Sequence, residues 1–151
     1  MRPRYYLDTS VFGGVFDCEF ENESLAIFEK INAGQITCVY SGLAESELKR
    51  APERVRGFFQ SLDEENLEKV DVDSAVLQLA RKYIESNVVG ETSFDDCVHI
   101  ALATINKVDM LISWNFKHIV NKTRIPGYNS VNLLSGYQSI DIRSPRAILH
   151  L

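Results

Sequence analysis

Three short runs of apolar, β-branched and aromatic residues, 4–7, 36–40 and 108–113, set the tightest limit on how this chain can fold. Each is too short for a stable helix and rich in side chains that suit a pleated strand. The segments between them have helical period. In 24–33, Leu25, Ile27, Phe28 and Ile31 recur at helical spacing, and Gly34 supplies a stop. Ser41 is placed to cap a helix over 42–50, and Pro52 opens another that carries Val55, Phe58, Phe59 and Leu62. Residues 74–85 and 93–106 read as two more helices parted by Gly90, and 116–121 as a short one. Weaker strands are expected at 67–72 and in the alternating tail 140–143, and 131–134 reads as a strand or a brief helix, the strand preferred. Helices alternating with short strands predict an α/β fold with a mostly parallel sheet, whose ligands bind beyond the carboxyl ends of the strands.

With 151 residues, 45% of them hydrophobic and 25% charged, the chain suits one domain that closes its own core. No repeat or low-complexity segment interrupts it, so a single unit over 1–151 is expected. The apolar run after Arg4 is too short for a signal segment and no window approaches a membrane span, which predicts a cytoplasmic protein without membrane contact. Cys18, Cys38 and Cys97 are odd in number and widely spaced, the pattern of reduced thiols. A net charge of −5 argues against a protein that coats nucleic acid generally. Two local basic clusters stand out nonetheless: Lys49 and Arg50 with Arg54 and Arg56, and Lys117 and His118 with Lys122 and Arg124. They read either as phosphate contacts or as solvated helix faces.

Four polar residues stand where apolar ones belong. Asp8 ends the first run, Glu47 sits between Leu43/Ala44 and Leu48/Ala51, Asp96 opens the run Cys97 to Ala101, and Asn115 follows Met110 to Ser113. A carboxylate taken from water must be paired, protonated or bound to a cation. If these four converge, a divalent metal is the simplest reason. Glu45 and Glu47 cannot share a helix face, since two residues on a helix turn through about 200°. Glu47 joins the apolar stripe, and Glu45 is placed to pair with Lys49 on the solvent side. Asp96 also closes a capping-box pattern that starts at Ser93, so it can serve the helix end, a metal, or both. Thr9 and Ser10 can cap the turn after Asp8 or bind a water or phosphate oxygen. His99 lies along an apolar helix and reads as a satisfied core histidine. Gly13-Gly14 forms no phosphate-binding fingerprint.

Taken in order, Tyr6-Leu7-Asp8-Thr9-Ser10-Val11, Glu47-Leu48, Asp96-Cys97-Val98-His99-Ile100-Ala101 and Ser113-Trp114-Asn115-Phe116 resemble a PIN domain over nearly the whole chain. The resemblance implies a three-layer α/β/α fold and a ribonuclease that hydrolyses RNA phosphodiester bonds, the class that includes toxins of the VapC type. It implies Asp8, Glu47 and Asp96 as ligands of Mg²⁺ or Mn²⁺ and, with Asn115, as the catalytic set. The fourth position is most often aspartate in such domains. Asn115 offers an amide oxygen without charge, so one metal is expected, with Asp95 as a secondary source of charge. Lys49, Arg50, Lys117 and His118 are candidate phosphate contacts, and Trp114 and Phe116 candidate stacking platforms for an unpaired base of single-stranded RNA. An antitoxin partner and a homodimer also follow from the resemblance, with Phe58 and Phe59 assignable to a dimer face or to the core. Two alternatives stay open: a PIN-like scaffold without activity, and a metal-dependent phosphatase. The phosphatase is disfavoured because Asp8-Thr9-Ser10 lacks a second aspartate two residues on.

Overall fold

The computed structural model describes residues 2–149. Its centre is a five-stranded sheet built from β1 (Arg4–Leu7), β2 (Thr37–Ser41), β3 (Leu67–Val70), β4 (Met110–Ile112) and β5 (Ile142–Arg143). The spatial order is β3-β2-β1-β4-β5, and every neighbouring pair is parallel. Parallel strands require crossovers. They are made by α1 (Thr9–Gly14) and α2 (Glu21–Asn32) after β1, by α3 (Gly42–Lys49) and α4 (Glu53–Gln60) after β2, and by α5 (Ser74–Glu85) and α6 (Phe94–Ile105) after β3. Helix α7 (Ile125–Leu134) leads to β5, and α8 (Pro145–Leu149) follows it.

The alternation of side chains along each strand divides the interior into two cores. Tyr6, Val39, Leu111 and Ile142 face the core under α5, α6 and α7, whereas Leu7, Cys38, Met110 and Ile112 face the one under α1, α2, α4 and α8. The result is three layers, α/β/α. Phe58 and Phe59 are half-buried in the second core, Phe58 edge-on to Phe16 and Phe28, and Phe59 edge-on to Phe12 and Tyr40. Core packing therefore accounts for both.

Winding runs from β1 through β2 to β3 on one side and to β4 and β5 on the other, so the strand order reverses between β1 and β4. In parallel sheets that reversal opens a crevice at the carboxyl ends of the two strands. Asp8 follows β1 and Asn115 lies just beyond β4, one on each side of it.

Several sequence expectations change. Residues 131–134 form the end of α7 rather than a strand, because Tyr128, Val131 and Asn132, three and four residues apart, make one buried helical stripe. Asn132 anchors that stripe by accepting from the Tyr83 hydroxyl and donating to Thr104 Oγ1 at 3.2 Å. Residues 116–121 form turns instead of a helix, held by Asn115 Oδ1, which accepts from His118 N, and Asn121 Oδ1, which accepts from Thr123 N and Arg124 N. Glu45 pairs with Lys69 at 3.3 Å across to β3, not with Lys49. Leu25 and Leu77, counted in apolar stripes, are 37% and 43% exposed.

Candidate active site

Asp8 stands at the junction of β1 and α1 and is 5% exposed. Its backbone N–H donates to Ile112 O at 3.2 Å, which ties it to β4. Its Oδ1 accepts from Ser10 N at 3.1 Å, capping α1, and from Ser10 Oγ at 2.5 Å, while Oδ2 accepts from Ser113 Oγ at 2.9 Å. Burial is the largest influence on this carboxyl and raises its pKa; His99 and the two serines oppose the rise without cancelling it. Ser10 Oγ also accepts from Trp114 N at 2.9 Å, and Ser113 Oγ from Asn115 N at 2.9 Å. The two serines thus stitch the loop after β4 to the acid after β1.

Glu47, on α3, faces inward as helix geometry requires. Its Oε1 accepts from Thr9 Oγ1 at 2.8 Å and meets His99 Nε2 at 2.8 Å. The other nitrogen of His99, Nδ1, lies 2.7 Å from the Tyr6 hydroxyl, which is 2.8 Å from Ser41 Oγ. Ser41 Oγ in turn caps α3 through Ala44 N. A continuous relay therefore runs Ser41–Tyr6–His99–Glu47–Thr9, buried from Ser41 to His99 and half-buried at Glu47 and Thr9. Burial opposes ionisation of Glu47, but the bond and charge of His99, with Thr9 and Arg50, outweigh it and lower the pKa. For His99 burial pulls the pKa down, and the Glu47 bond with the charges of Asp8, Glu47 and Asp96 more than restores it, leaving it raised. All three candidate acids act on this one imidazole.

Asp96 lies in the first turn of α6. The capping box does not form: Ser93 makes no side-chain cap bond, and its Oγ meets His118 Nδ1 at 3.2 Å instead. Asp96 Oδ1 accepts from Asn115 Nδ2 at 3.2 Å. Burial is the first cause of a raised pKa at Asp96; His118 and His99 lower it, and Asp8 and Glu47 raise it further. Asp8, Glu47 and Asp96 thus share one electrostatic field where the strand order reverses.

The chemistry of these donors fits a hard divalent cation: three carboxylates in a partly desolvated setting, Asp8 with its pKa raised by burial and Glu47, and Asp96 by burial, Asp8 and Glu47. Hydrogen bonds from the described residues fall on Glu47 Oε1 and Asp96 Oδ1, which leaves Oε2 and Oδ2 as their free donors. Among the described residues no three His, Cys, Asp or Glu side chains are gathered tightly enough to hold a metal ion as they stand. The acids share a field rather than a single point.

The remaining candidates divide. Thr9 and Ser10 brace Glu47 and Asp8, and His118 lies close enough to Asp96 to lower its pKa. Arg50 is similarly close to Glu47. Lys49 is exposed and lines a groove with Glu45 and Arg56, two residues and so about 200° of helix away from Glu47. Lys117 and Asp95 are exposed and make no described contact with the acids. Trp114 is corrected as a stacking platform. It is 5% exposed, its ring stacks on Phe20 at 4.1 Å with Arg146 over it at 5.5 Å, and Nε1 donates to Ser24 Oγ at 2.8 Å. Phe116, 47% exposed, is the aromatic left open.

Sequence reasoning missed the bracing roles of His99, Ser113 and Tyr6. His99 lies three residues after Asp96 and so on the same helical face, a spacing that would have singled it out. The cysteines match the thiol expectation: among the described residues all three are free, and burial pushes Cys38 and Cys97 up to about 12. No helix among the described residues is long and apolar enough to cross a membrane.

No family model matches this chain, and no curated protein matches it. Solved structures do. A chain of VapBC2 from Rickettsia felis, in a structure bound to a DNA fragment from their promoter, superposes with a TM-score of 0.61 at 15% identity, covering 93% of this chain and 98% of that one. FitAcB from Neisseria gonorrhoeae gives a TM-score of 0.62 at 12% identity, covering 97% of this chain and 99% of that one. The fold is shared. At these identities the likeness speaks for architecture, and it extends over almost the whole length of both chains.

Proposed function

We propose that this protein is a metal-dependent ribonuclease of PIN type. The observation that carries the reading is the placement of Asp8 after β1, Glu47 against His99 at 2.8 Å and Asp96 against Asn115 at 3.2 Å around the crevice where the strand order reverses. Asp8, Glu47 and Asp96 would hold Mg²⁺ or Mn²⁺, which when bound supplies Lewis-acid activation of water and neutralises charge on the phosphate. The chain's own residues do the rest. Ser10 and Ser113 fix both oxygens of Asp8, His99 and Thr9 fix Oε1 of Glu47 so that Oε2 remains to ligate, and Asn115 orients Asp96. Arg50 stands beside Glu47 with positive charge suited to a phosphodiester backbone, and His118 brings an imidazole beside Asp96.

The fold likeness to chains of VapBC2 and FitAcB supports a protein that works with a bound partner, and the VapC-type resemblance makes that partner an antitoxin. A homodimer in the cytoplasm belongs to the same reading. A second reading, a PIN-like scaffold, is favoured by the Asn115 amide, which engages Asp96 and adds no charge.

Cleavage of single-stranded RNA in Mg²⁺ or Mn²⁺, lost in Asp8→Asn and in Asp96→Asn with circular dichroism unchanged, is the expected result. Cleavage indifferent to metal and to both substitutions overturns the nuclease mechanism. An intact fold with no cleavage in either metal selects the scaffold.

A further inference from the structure

A groove of about 450 Å³, its lining including Phe116, Val120, Lys122, Ile125, Ile142 and Arg143, opens past the ends of β4 and β5. It continues the same carboxyl edge of the sheet: Phe116 follows Asn115 directly, and Arg143 O accepts from Ser113 N at 3.1 Å. Its floor is apolar. Val120 and Ile125 pack on the core beneath, and Ile142 is a core residue. Phe116 sits at this groove with nearly half its surface in water, in an orientation set by an edge contact with Trp114 at 6.0 Å and 62°. The lining contains two cations and no acid. Lys122 is exposed, and Arg143 keeps only an open ion pair with Asp141 at 3.0 Å, both side chains more than a third exposed.

An exposed flat ring over an apolar floor, with cations at the rim, is what an unpaired base between two phosphates requires. Two cations in the lining with no acid favour a polyanionic strand over a helix from a protein partner. We propose that the groove is a nucleobase subsite, in which a base flanking the cleaved phosphodiester of single-stranded RNA stacks on Phe116 while its phosphates meet Lys122 and Arg143. The proposal rests on the nuclease reading for its choice of ligand, and its test does not depend on cleavage.

The experiment titrates oligouridylate, oligoadenylate, the matching oligodeoxynucleotides, a blunt RNA duplex and an acidic amphipathic peptide into the protein in EDTA. The readouts are the fluorescence of Trp114, the single tryptophan, and the anisotropy of labelled oligonucleotide. Single-stranded RNA is expected to bind more tightly than the duplex and to shift Trp114 emission. Phe116→Leu keeps apolar contact with Trp114 but removes the π face, and is expected to weaken binding roughly ten-fold, with Phe116→Tyr restoring it. Lys122→Gln is expected to weaken binding of every oligonucleotide and reduce the salt slope by about one. Unchanged affinity in Phe116→Leu, or an equal loss in Phe116→Tyr, overturns the subsite. DNA bound more tightly than RNA overturns the choice of RNA, and binding of the peptide alone overturns the subsite in favour of a protein partner. Phe116-dependent RNA binding with no cleavage on adding Mn²⁺ upholds the subsite and rejects the nuclease reading.

Discussion

The His99 imidazole and the Glu47 carboxylate meet at 2.8 Å, with the far nitrogen of the same ring 2.7 Å from the Tyr6 hydroxyl. A histidine that is 2% exposed is thereby fixed at both nitrogens and fixes, in turn, one oxygen of an acid at the mouth of the crevice.

The pair sets a pH window. Glu47 has its pKa lowered from 4.5, so the stability it contributes is present above that value and lost as pH falls through the lower folded one. His99 has its pKa raised from 6.5, so its contribution is complete below that value and lost as pH rises through the higher folded one. Thermal melts in EDTA should show the largest difference between wild type and His99→Gln at pH 4.5–6.5, shrinking on both sides. His99→Leu, which also removes the hydrogen bonds, should cost about 2 kcal/mol there. A difference that is flat with pH would mean that charge plays no part in the pair.

Asp8 is expected to trade stability for chemistry. Burial raises its pKa, so the ionised form costs folding free energy that an amide avoids. Asp8→Asn should raise stability in EDTA by about 1 kcal/mol, roughly 2–4 °C in Tm for a chain of this size. Mn²⁺ is expected to raise the Tm of the wild type and to support cleavage, and Asp8→Asn should abolish the first effect and lower the second at least a hundred-fold. Calorimetry with and without Mn²⁺ decides it, and a Tm that responds to Mn²⁺ equally in both proteins removes Asp8 from the ligands.

Asn115→Asp adds a charge beside Asp96 and gives up the Nδ2 donor that now reaches it. In EDTA the added repulsion should destabilise the fold by about 1 kcal/mol. Mn²⁺ affinity measured by isothermal titration should tighten about ten-fold, because ligand charge governs hard-cation binding. Weaker Mn²⁺ binding in this variant would show that the amide is the better ligand.

Gly14 is required by close packing. A Cβ there would lie 2.5 Å from Ser24 Oγ and 2.8 Å from Trp114 Nε1, atoms that are bonded to each other. Gly14→Ala should break that bond, cost about 2 kcal/mol or more in denaturant titration, and shift Trp114 emission to the red. An unchanged spectrum would mean that the contact yields without loss.

Much of this architecture could be read from local pattern. Tyr6 and Leu7, or Cys38 and Val39, announce a two-faced strand by their position in short apolar runs, and Ser41 and Gly42 mark the start of α3. Residues 131–134 misled because Leu133 and Leu134 are apolar yet exposed at 60% and 87%, while the residue that anchors the helix is the polar Asn132. At the site, Glu47 was separable from Glu45 because a helix has a fixed pitch. The services of Ser113 to Asp8, and of Tyr6 to His99, span 105 and 93 residues of chain. No periodicity encodes contacts of that range. Trp114 was misplaced for the same reason, since its cover, Phe20, comes from the loop before α2.

The pairing of β1 with β4 has a consequence for biosynthesis. Leu7 aligns with Ile112, and the amide of Asp8 bonds the carbonyl of that same isoleucine. The ribosome therefore delivers all three carboxylates before it delivers the strand against which Asp8 is set and the serine that holds its second oxygen. Domains acquire their structure as their segments become available, so a nascent chain carries the acids without the arrangement. The finished crevice is withheld until Ser113 has left the exit tunnel.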